Sequence, residues 1–278
     1  MRRRTLLALP ALGLVPSVLL TACSEGSVVP TTESDPATAS DEGVERVTYG
    51  DDPEQFAELY RPDGDSRGVV VVIHGGFWKA IYDYTLGQPL ARSLAEQGWT
   101  AWNIEYRRVG NGGGTPETFD DVAAAIDALA DVDDLDLSTV VTLGHSAGGH
   151  LGVWAAGRDD ARVPVTHAIS QAGVLDLVMA DRMGVGGGAG AALLGHTPGP
   201  EDEPWDPQQQ IPLDVPVWCV HGIDDPIVPL GQSEGYVVDA QAAGAKAEIV
   251  RVEGDHFVVI DPSSEAWQAQ VEILDSIA

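Results

Sequence analysis

The chain has 278 residues, 44% of them hydrophobic, with 32 glycines and 18 prolines, enough for one large folded domain and too apolar for disorder throughout. Its 43 acidic residues against 15 Lys and Arg give a formal charge of −28, a field that repels polyanions and argues against nucleic-acid binding. Two cysteines, Cys23 and Cys219, exclude a disulfide framework and a zinc site built mainly of thiolates.

Residues 1–23, MRRRTLLALPALGLVPSVLLTAC, run from positive charge through an apolar stretch to small residues before a cysteine, the pattern of an export signal. The uncharged run Thr5–Ala22 holds Pro10 and Pro16 and is short for a stable membrane span of about 20 residues. Leu20-Thr21-Ala22-Cys23 resembles the lipobox of bacterial lipoproteins. That resemblance implies a signal peptide over 1–22, cleavage before Cys23, and a lipid on Cys23 that holds the protein to the extracytoplasmic side of the cell membrane. Residues 24–43 are rich in Ser, Thr, Pro and acids and cannot bury enough apolar surface to offset ordering. With the lipidated cysteine, 23–43 is expected to be a flexible acidic tether. Cys219 lies in the apolar run Val215–Val220 and reads as a small core hydrophobe.

From Val44 to Ala278 short β-branched runs alternate with longer helical patterns, which predicts a parallel sheet with crossover helices in one domain. Val69–Ile73 (VVVVI), between Gly68 and Gly75, is the pattern of a strand buried on both faces. Thr100–Ile104, Val140–Leu143, Val165–Ser170, Val215–Val220 and Ala247–Val252 share its flavour. Helices are expected over Leu86–Gln97, Pro116–Ala130, Ala147–Ala156, Gly231–Ala243 and Ser264–Ile277, several of them closed by a glycine. The stretch Val174–Ile211, glycine- and proline-rich, breaks this rhythm and is expected to be a loop-rich excursion over the carboxyl end of the sheet, short for a lid domain.

Gly144-His145-Ser146-Ala147-Gly148 lies between an expected strand and an expected helix, the setting in which G-x-S-x-G presents a nucleophile rather than a helix-capping serine. A serine hydroxyl needs a base to take its proton and a carboxylate to orient that base. Asp224 and Asp225 follow the strand ending at Val220, and His256 follows the strand Ala247–Val252. The order Ser146, Asp, His256 is that of the α/β-hydrolases and not of trypsin-like or subtilisin-like enzymes. His74-Gly75-Gly76-Phe77-Trp78 follows Val69–Ile73, where glycines let backbone N–H groups face an oxyanion.

Residues 44–278 resemble an α/β-hydrolase of the esterase kind: a mostly parallel central sheet with helices on both faces and a short excursion over the site. In this family the acid lies in a segment similar to H-G-x-x-D-x-x-V-P, which aligns Asp225. The HGG segment resembles that of hormone-sensitive-lipase-like esterases and of kynurenine formamidases, and implies oxyanion donors from the main chain of Gly76, Phe77 and Ala147. Phe77 stands where the lipase-like branch usually has a third glycine. His74 is expected to hold the loop, and Tyr106 and Arg107, in a segment similar to N-Y-R, to be architectural. Trp78, Tyr82 and His145 are candidates to line the substrate pocket, as is Tyr84, with packing against the first helix as the alternative for the aromatic residues.

No cofactor is expected. Neither H-x-x-H nor H-E-x-x-H spacing occurs among the histidines, so no catalytic metal is expected, and Asn111–Gly114 lacks the G-K-[ST] of a phosphate loop. The expected activity is hydrolysis of small carboxylic esters through an acyl-enzyme. Arylformamidase-type amide hydrolysis, a peptidase or an acyltransferase on the same fold are alternatives, and a surface lipoprotein without catalysis is the reading from a different class.

Overall fold

A computed structural model describes residues 43–278; the expected signal peptide, Cys23 and nearly all of the tether lie outside them. Eight strands form one sheet: β1 (Glu45–Thr48), β2 (Phe56–Tyr60), β3 (Val69–Ile73), β4 (Thr100–Ile104), β5 (Val140–His145), β6 (His167–Gln171), β7 (Val217–Gly222) and β8 (Ala247–Val252). Their spatial order is β1-β2-β4-β3-β5-β6-β7-β8. Only the β1–β2 and β2–β4 pairs are antiparallel, and every pair from β4 to β8 is parallel. The mostly parallel sheet expected from the sequence is therefore the one observed.

Alternation along β3 shows why that strand is apolar throughout. Val69, Val71 and Ile73 pack into one cluster with Phe119, Val122 and Ile126 of α2 (Glu117–Asp127) and Leu151 and Trp154 of α3 (Ala147–Ala156). Val70 and Val72 pack on the other face with Leu90 and Leu94 of α1 (Gln88–Glu96). Trp267 and Leu274 of a C-terminal helix join that second cluster. A strand covered by helices on both sides has no solvent face to make polar. Cys219 is buried against Tyr236 and Ala240 on the far part of the sheet, as a core hydrophobe.

Two findings depart from the expectations. β1 and β2 were not foreseen, because β1 is a short, mostly exposed edge and β2 carries Glu58 at a buried position. Tyr60 Oη and Gln88 Nε2 both donate to Glu58 Oε2 at 2.9 Å, which removes the cost of an unpaired buried carboxylate. The excursion is also more helical than expected: α4 (Leu177–Arg182) and α5 (Ala189–Leu194) lie within it, followed by a 3-10 turn at Pro200–Trp205. The remaining helices are α6 (Gly231–Ala242) and α7 (Glu265–Ile277), the latter capped by Ser264 Oγ accepting from Trp267 N at 2.9 Å. Among the described residues no helix is long and apolar enough to cross a membrane.

Candidate active site

The carboxyl ends of β3, β5, β7 and β8 converge on a cavity of about 90 Å³. It is lined by His145 and Ser146 at the end of β5, by Gly76, Phe77, Tyr82 and Leu86 from the segment after β3, and by Ile227, His256, Phe257 and Ile260 from the segments after β7 and β8. Two larger clefts lie elsewhere, one of about 600 Å³ around Arg158, Pro212 and Asp214 and one of about 460 Å³ around Trp218 and Lys246. Neither is lined by a serine and a histidine together, as the smaller cavity is.

Ser146 turns the chain from β5 into α3 at φ 54°, ψ −115°, a conformation that costs on the order of 1–3 kcal/mol and persists only when the surroundings enforce it. They do so through contact distances. A Cβ on Gly148 would sit 2.0 Å from the Ile73 carbonyl oxygen, and one on Gly144 2.1 Å from that of Gly148. Both glycines are thus spacers for a turn pressed against β3 and against its own helix. Ser146 N–H donates to Gln171 O at 2.8 Å, which ties the turn to the end of β6.

Asp225 and His256 meet as the sequence order implies. His256 Nδ1 donates to Asp225 Oδ2 at 2.6 Å, and Asp225 Oδ1 accepts from the N–H groups of Ile227 at 2.8 Å and Val228 at 2.9 Å. The Asp225 side chain is wholly buried. Burial opposes its ionisation, but hydrogen bonds from His221, His256 and Val228 prevail and hold it well below the usual carboxylate range. Asp224 is exposed and does not make this contact.

His145 Nε2 donates to the main-chain oxygen of His256 at 2.9 Å, and the two rings lie 4.5 Å apart. Burial, with repulsion from His256 second, lowers the His145 pKa to about 3. It stays neutral and braces the base from below.

The loop after β3 approaches the serine turn closely: a Cβ on Gly75 would be 2.7 Å from His145 O and 3.1 Å from Ser146 Cβ. Gly76, Phe77 and Trp78 all have positive φ, at 114°, 57° and 53°. Phe77 therefore adopts without glycine the left-handed conformation that a third glycine would take easily. Its ring and Gly76 line the cavity, while Ala147 opens α3, where the first N–H groups lack intrahelical partners.

His74 has the architectural place expected of it. Its Nε2 faces Glu105 Oε1 at 3.0 Å, its ring stacks on Tyr106 at 4.5 Å, and Tyr106 Oη donates to His74 O at 2.8 Å. Burial works against Glu105 ionising, yet hydrogen bonds from His74 and Arg108 bring its pKa to about 2. Arg107 is held by Asp121, its Nε donating to Asp121 Oδ2 at 2.8 Å.

Trp78 does not line the cavity. It is 2% exposed and meets His150 edge-on at 5.2 Å, inside the core under α3; the backbone turn at Phe77 and Trp78 sends the two side chains to different places. Tyr84 is also elsewhere, edge-on to Phe56 at 5.0 Å and accepting from Arg46. Tyr82 and His145 do line it.

Three supporting residues escaped sequence reasoning. His221 Nε2 donates to Asp225 Oδ2 at 3.1 Å and Val228 O at 3.0 Å while its Nδ1 accepts from Ser233 Oγ at 2.7 Å. Gln171 Nε2 donates to Gln270 Oε1 at 2.6 Å and to Val259 O at 2.7 Å, so buried amides connect the serine turn to the turn after His256. The signal available was polar residues at strand-end and helix positions that should be apolar. Among the described residues, His196, Glu201 and Asp202 bring ligand-type atoms within 4.8 Å of one another. They are outside the cavity lining, and both Asp202 oxygens are engaged, by His196 Nε2 at 2.9 Å and Gly199 N at 2.8 Å.

Comparison with known proteins agrees with this geometry. Esterase LipC of Mycobacterium tuberculosis is 38% identical over 120 residues, 40% of this chain and 28% of that protein. A probable isoprenylcysteine alpha-carbonyl methylesterase of Oryza sativa subsp. japonica is 26% identical over 237 residues, 75% of this chain and 56% of that one. The matched region thus spans 28% of the first relative's length and 56% of the second's. Among solved structures, the esterase Est2 of Thermogutta terrifontis superposes with a TM-score of 0.70 at 22% identity, covering 84% of this chain and 91% of that one. A truncated carbohydrate esterase from gut microbiota gives 0.72 at 19%, covering 85% and 98%. Those superpositions establish the α/β-hydrolase fold, and with a family match that runs over residues 58–237, from β2 through the serine turn and into α6, the chain belongs to the BD-FAE family.

Proposed function

We propose that the protein is a serine carboxylesterase of the hormone-sensitive-lipase-like or formamidase-like branch, and that residues 44–278 are its catalytic domain. Ser146 Oγ attacks the ester carbonyl carbon as its proton passes to His256, and Asp225 holds His256 in the tautomer that can accept it. The oxyanion is received by main-chain N–H groups of Gly76, Phe77 and Ala147. Collapse breaks the bond to the alcohol, which leaves with the proton from His256. Water, deprotonated by the same His256, then cleaves the acyl-enzyme and releases the acid. The observation that carries this reading is the strained Ser146 turn sharing one small cavity with a histidine held at 2.6 Å by a buried carboxylate.

The lipobox-like segment supports export with cleavage after residue 22, lipid on Cys23 and action outside the cytoplasmic membrane, with 23–43 as tether. Replacing Cys23 with Ala should release the protein from the membrane fraction of its host.

The chemistry is tested with para-nitrophenyl esters of increasing acyl length beside N-formylkynurenine. Ester turnover should fall at least about 10³-fold in Ser146→Ala. Equal rates in wild type and Ser146→Ala would overturn the proposal, and preferred turnover of the formamide would move it to amide hydrolysis.

A further inference from the structure

We infer that Phe257 selects the alcohol part of the substrate, and that this part is uncharged and aromatic; the inference rests on the ester-hydrolysis reading above. The residues around the cavity have different jobs in that reaction. Oxyanion donors come from Gly76 and Phe77 after β3 and from Ala147 at the start of α3. The group that must protonate the leaving oxygen is His256, so the departing alcohol lies along His256 and its lining neighbours Phe257 and Ile260.

Phe257 is placed for this and for little else. Its ring stands edge-on to His256 at 5.3 Å and 78° and lies 6.1 Å from His145. The side chain is 54% exposed and takes no part in the three hydrophobic clusters of the core. A large apolar ring held half in water gains little from folding, and a flat ring with an open face is a surface on which a second ring stacks. Its backbone is fixed, because Phe257 N–H donates to Asp255 Oδ1 at 2.9 Å.

Charge around the site sets the second half of the inference. No Lys or Arg lines the cavity. Lys79, in the segment after β3, donates to Gly186 O at 3.3 Å and lies over the Phe77 ring at 5.5 Å. Asp224 and Asp255 are exposed and adjoin Asp225 and His256 in the chain. An alcohol bearing a carboxylate would find no Lys or Arg in the cavity lining to pair with, and exposed acidic groups adjoin the site residues in the chain.

The experiment holds the acyl group constant and compares kcat/KM for phenyl, 3-carboxyphenyl and ethyl acetate in wild type, Phe257→Ala, Phe257→Trp and Ser146→Ala. Comparing ratios between variants cancels the intrinsic reactivity of the leaving group. The phenyl-to-ethyl ratio should fall about tenfold in Phe257→Ala and be retained in Phe257→Trp. Wild type should disfavour the 3-carboxyphenyl ester, and salt should narrow that gap. If Phe257→Ala folds poorly, Phe257→Leu keeps the apolar volume and removes the flat face. An unchanged ratio, or an equal loss on phenyl and ethyl acetate, overturns the role of Phe257 while leaving ester hydrolysis intact. Absence of turnover in wild type, or turnover that survives Ser146→Ala, overturns the ester reading and the inference with it.

Discussion

The serine turn and the excursion over residues 174–211 are neighbours held in place by opposite means. The turn sits on strands that are buried along their whole length, and its strained Ser146 is enforced by backbone packed against backbone. The excursion is made of two six-residue helices and a run of glycines, Gly184 and Gly186–Gly188, all at positive φ. Apolar side chains such as Leu177, Val185 and Leu193 pack into the core, and single polar contacts fix its course at further points. Trp154 Nε1 donates to Pro204 O at 2.9 Å, His150 Nε2 to Trp205 O at 2.8 Å, and Gln232 Nε2 to Asp176 O at 3.0 Å. Strain can be stored where many contacts must break together to release it, whereas the bends of the excursion fall on glycines, for which a positive φ carries little strain.

The sharpest way to break this contrast is to add one methyl group to each region. In Gly148→Ala the new Cβ would meet the Ile73 oxygen at 2.0 Å and the His74 oxygen at 2.6 Å, both backbone atoms in the core of the sheet. A loss of at least about 4 kcal/mol is expected, seen as failure to fold or as a large drop in Tm. Gly187→Ala meets nothing within 4 Å and suffers only from its φ of 64°, a cost of about 1 kcal/mol. Comparable losses in thermal denaturation of the two variants would show that the turn is not packing-enforced.

Acid should strike the serine platform next. His150 is fully buried, and burial lowers its pKa to about 4; His145 beneath the site lies at about 3. Below pH 6.5 the unfolded chain binds protons at both positions and the folded chain does not, so stability is lost as pH falls from 6.5 toward 4. The two histidines together account for several kcal/mol by that linkage, about 1.4 per pH unit for each. Chemical denaturation at pH 7 and pH 5 checks it, and His150→Gln should flatten the slope by about half. An unchanged slope in His150→Gln would mean that the acid sensitivity belongs to other groups.

What the chain reveals without a structure follows the same division. The platform is legible because its rules are local and repeated. A run of valines between glycines, G-x-S-x-G between strand and helix, and the order Ser146, Asp225, His256 each carry their own physical reason. β2 was illegible because Glu58 breaks the apolar pattern, and that carboxylate is made tolerable by Tyr60 two residues on together with Arg46, Gln88 and Asn103 from other elements. The helices of the excursion are too short for a 3.6-residue period to show. The direction of Trp78 depended on a positive φ in a non-glycine residue, which composition does not announce. His221 stands in sequence as the first residue of the H-G-x-x-D-x-x-V-P segment, but its support of Asp225 shows only in the fold, where α6 brings Ser233 to its other nitrogen.

The smallest effect sharpens the comparison most, because its sign is reversed. Asp206 closes the excursion: its Oδ1 accepts from Leu177 N and Gln208 N, both at 3.3 Å, and its Oδ2 from Gln209 Nε2 at 2.9 Å. Burial raises its pKa to about 6 against those hydrogen bonds. The folded chain therefore holds a proton here that the unfolded chain releases near pH 4, so this residue takes stability away as pH rises from about 4 to about 6. The size is on the order of 2 kcal/mol. Asp206→Asn removes the titration, and its gain relative to wild type should be greater at pH 7 than at pH 4.5, opposite in slope to His150→Gln. Hydrogen exchange at the two pH values should place the difference at Leu177 and Gln208, with the amides of β3 and β5 unmoved. A change spread evenly over those strands would mean that excursion and platform open as one unit, and that the clasp and the serine turn are not separately held.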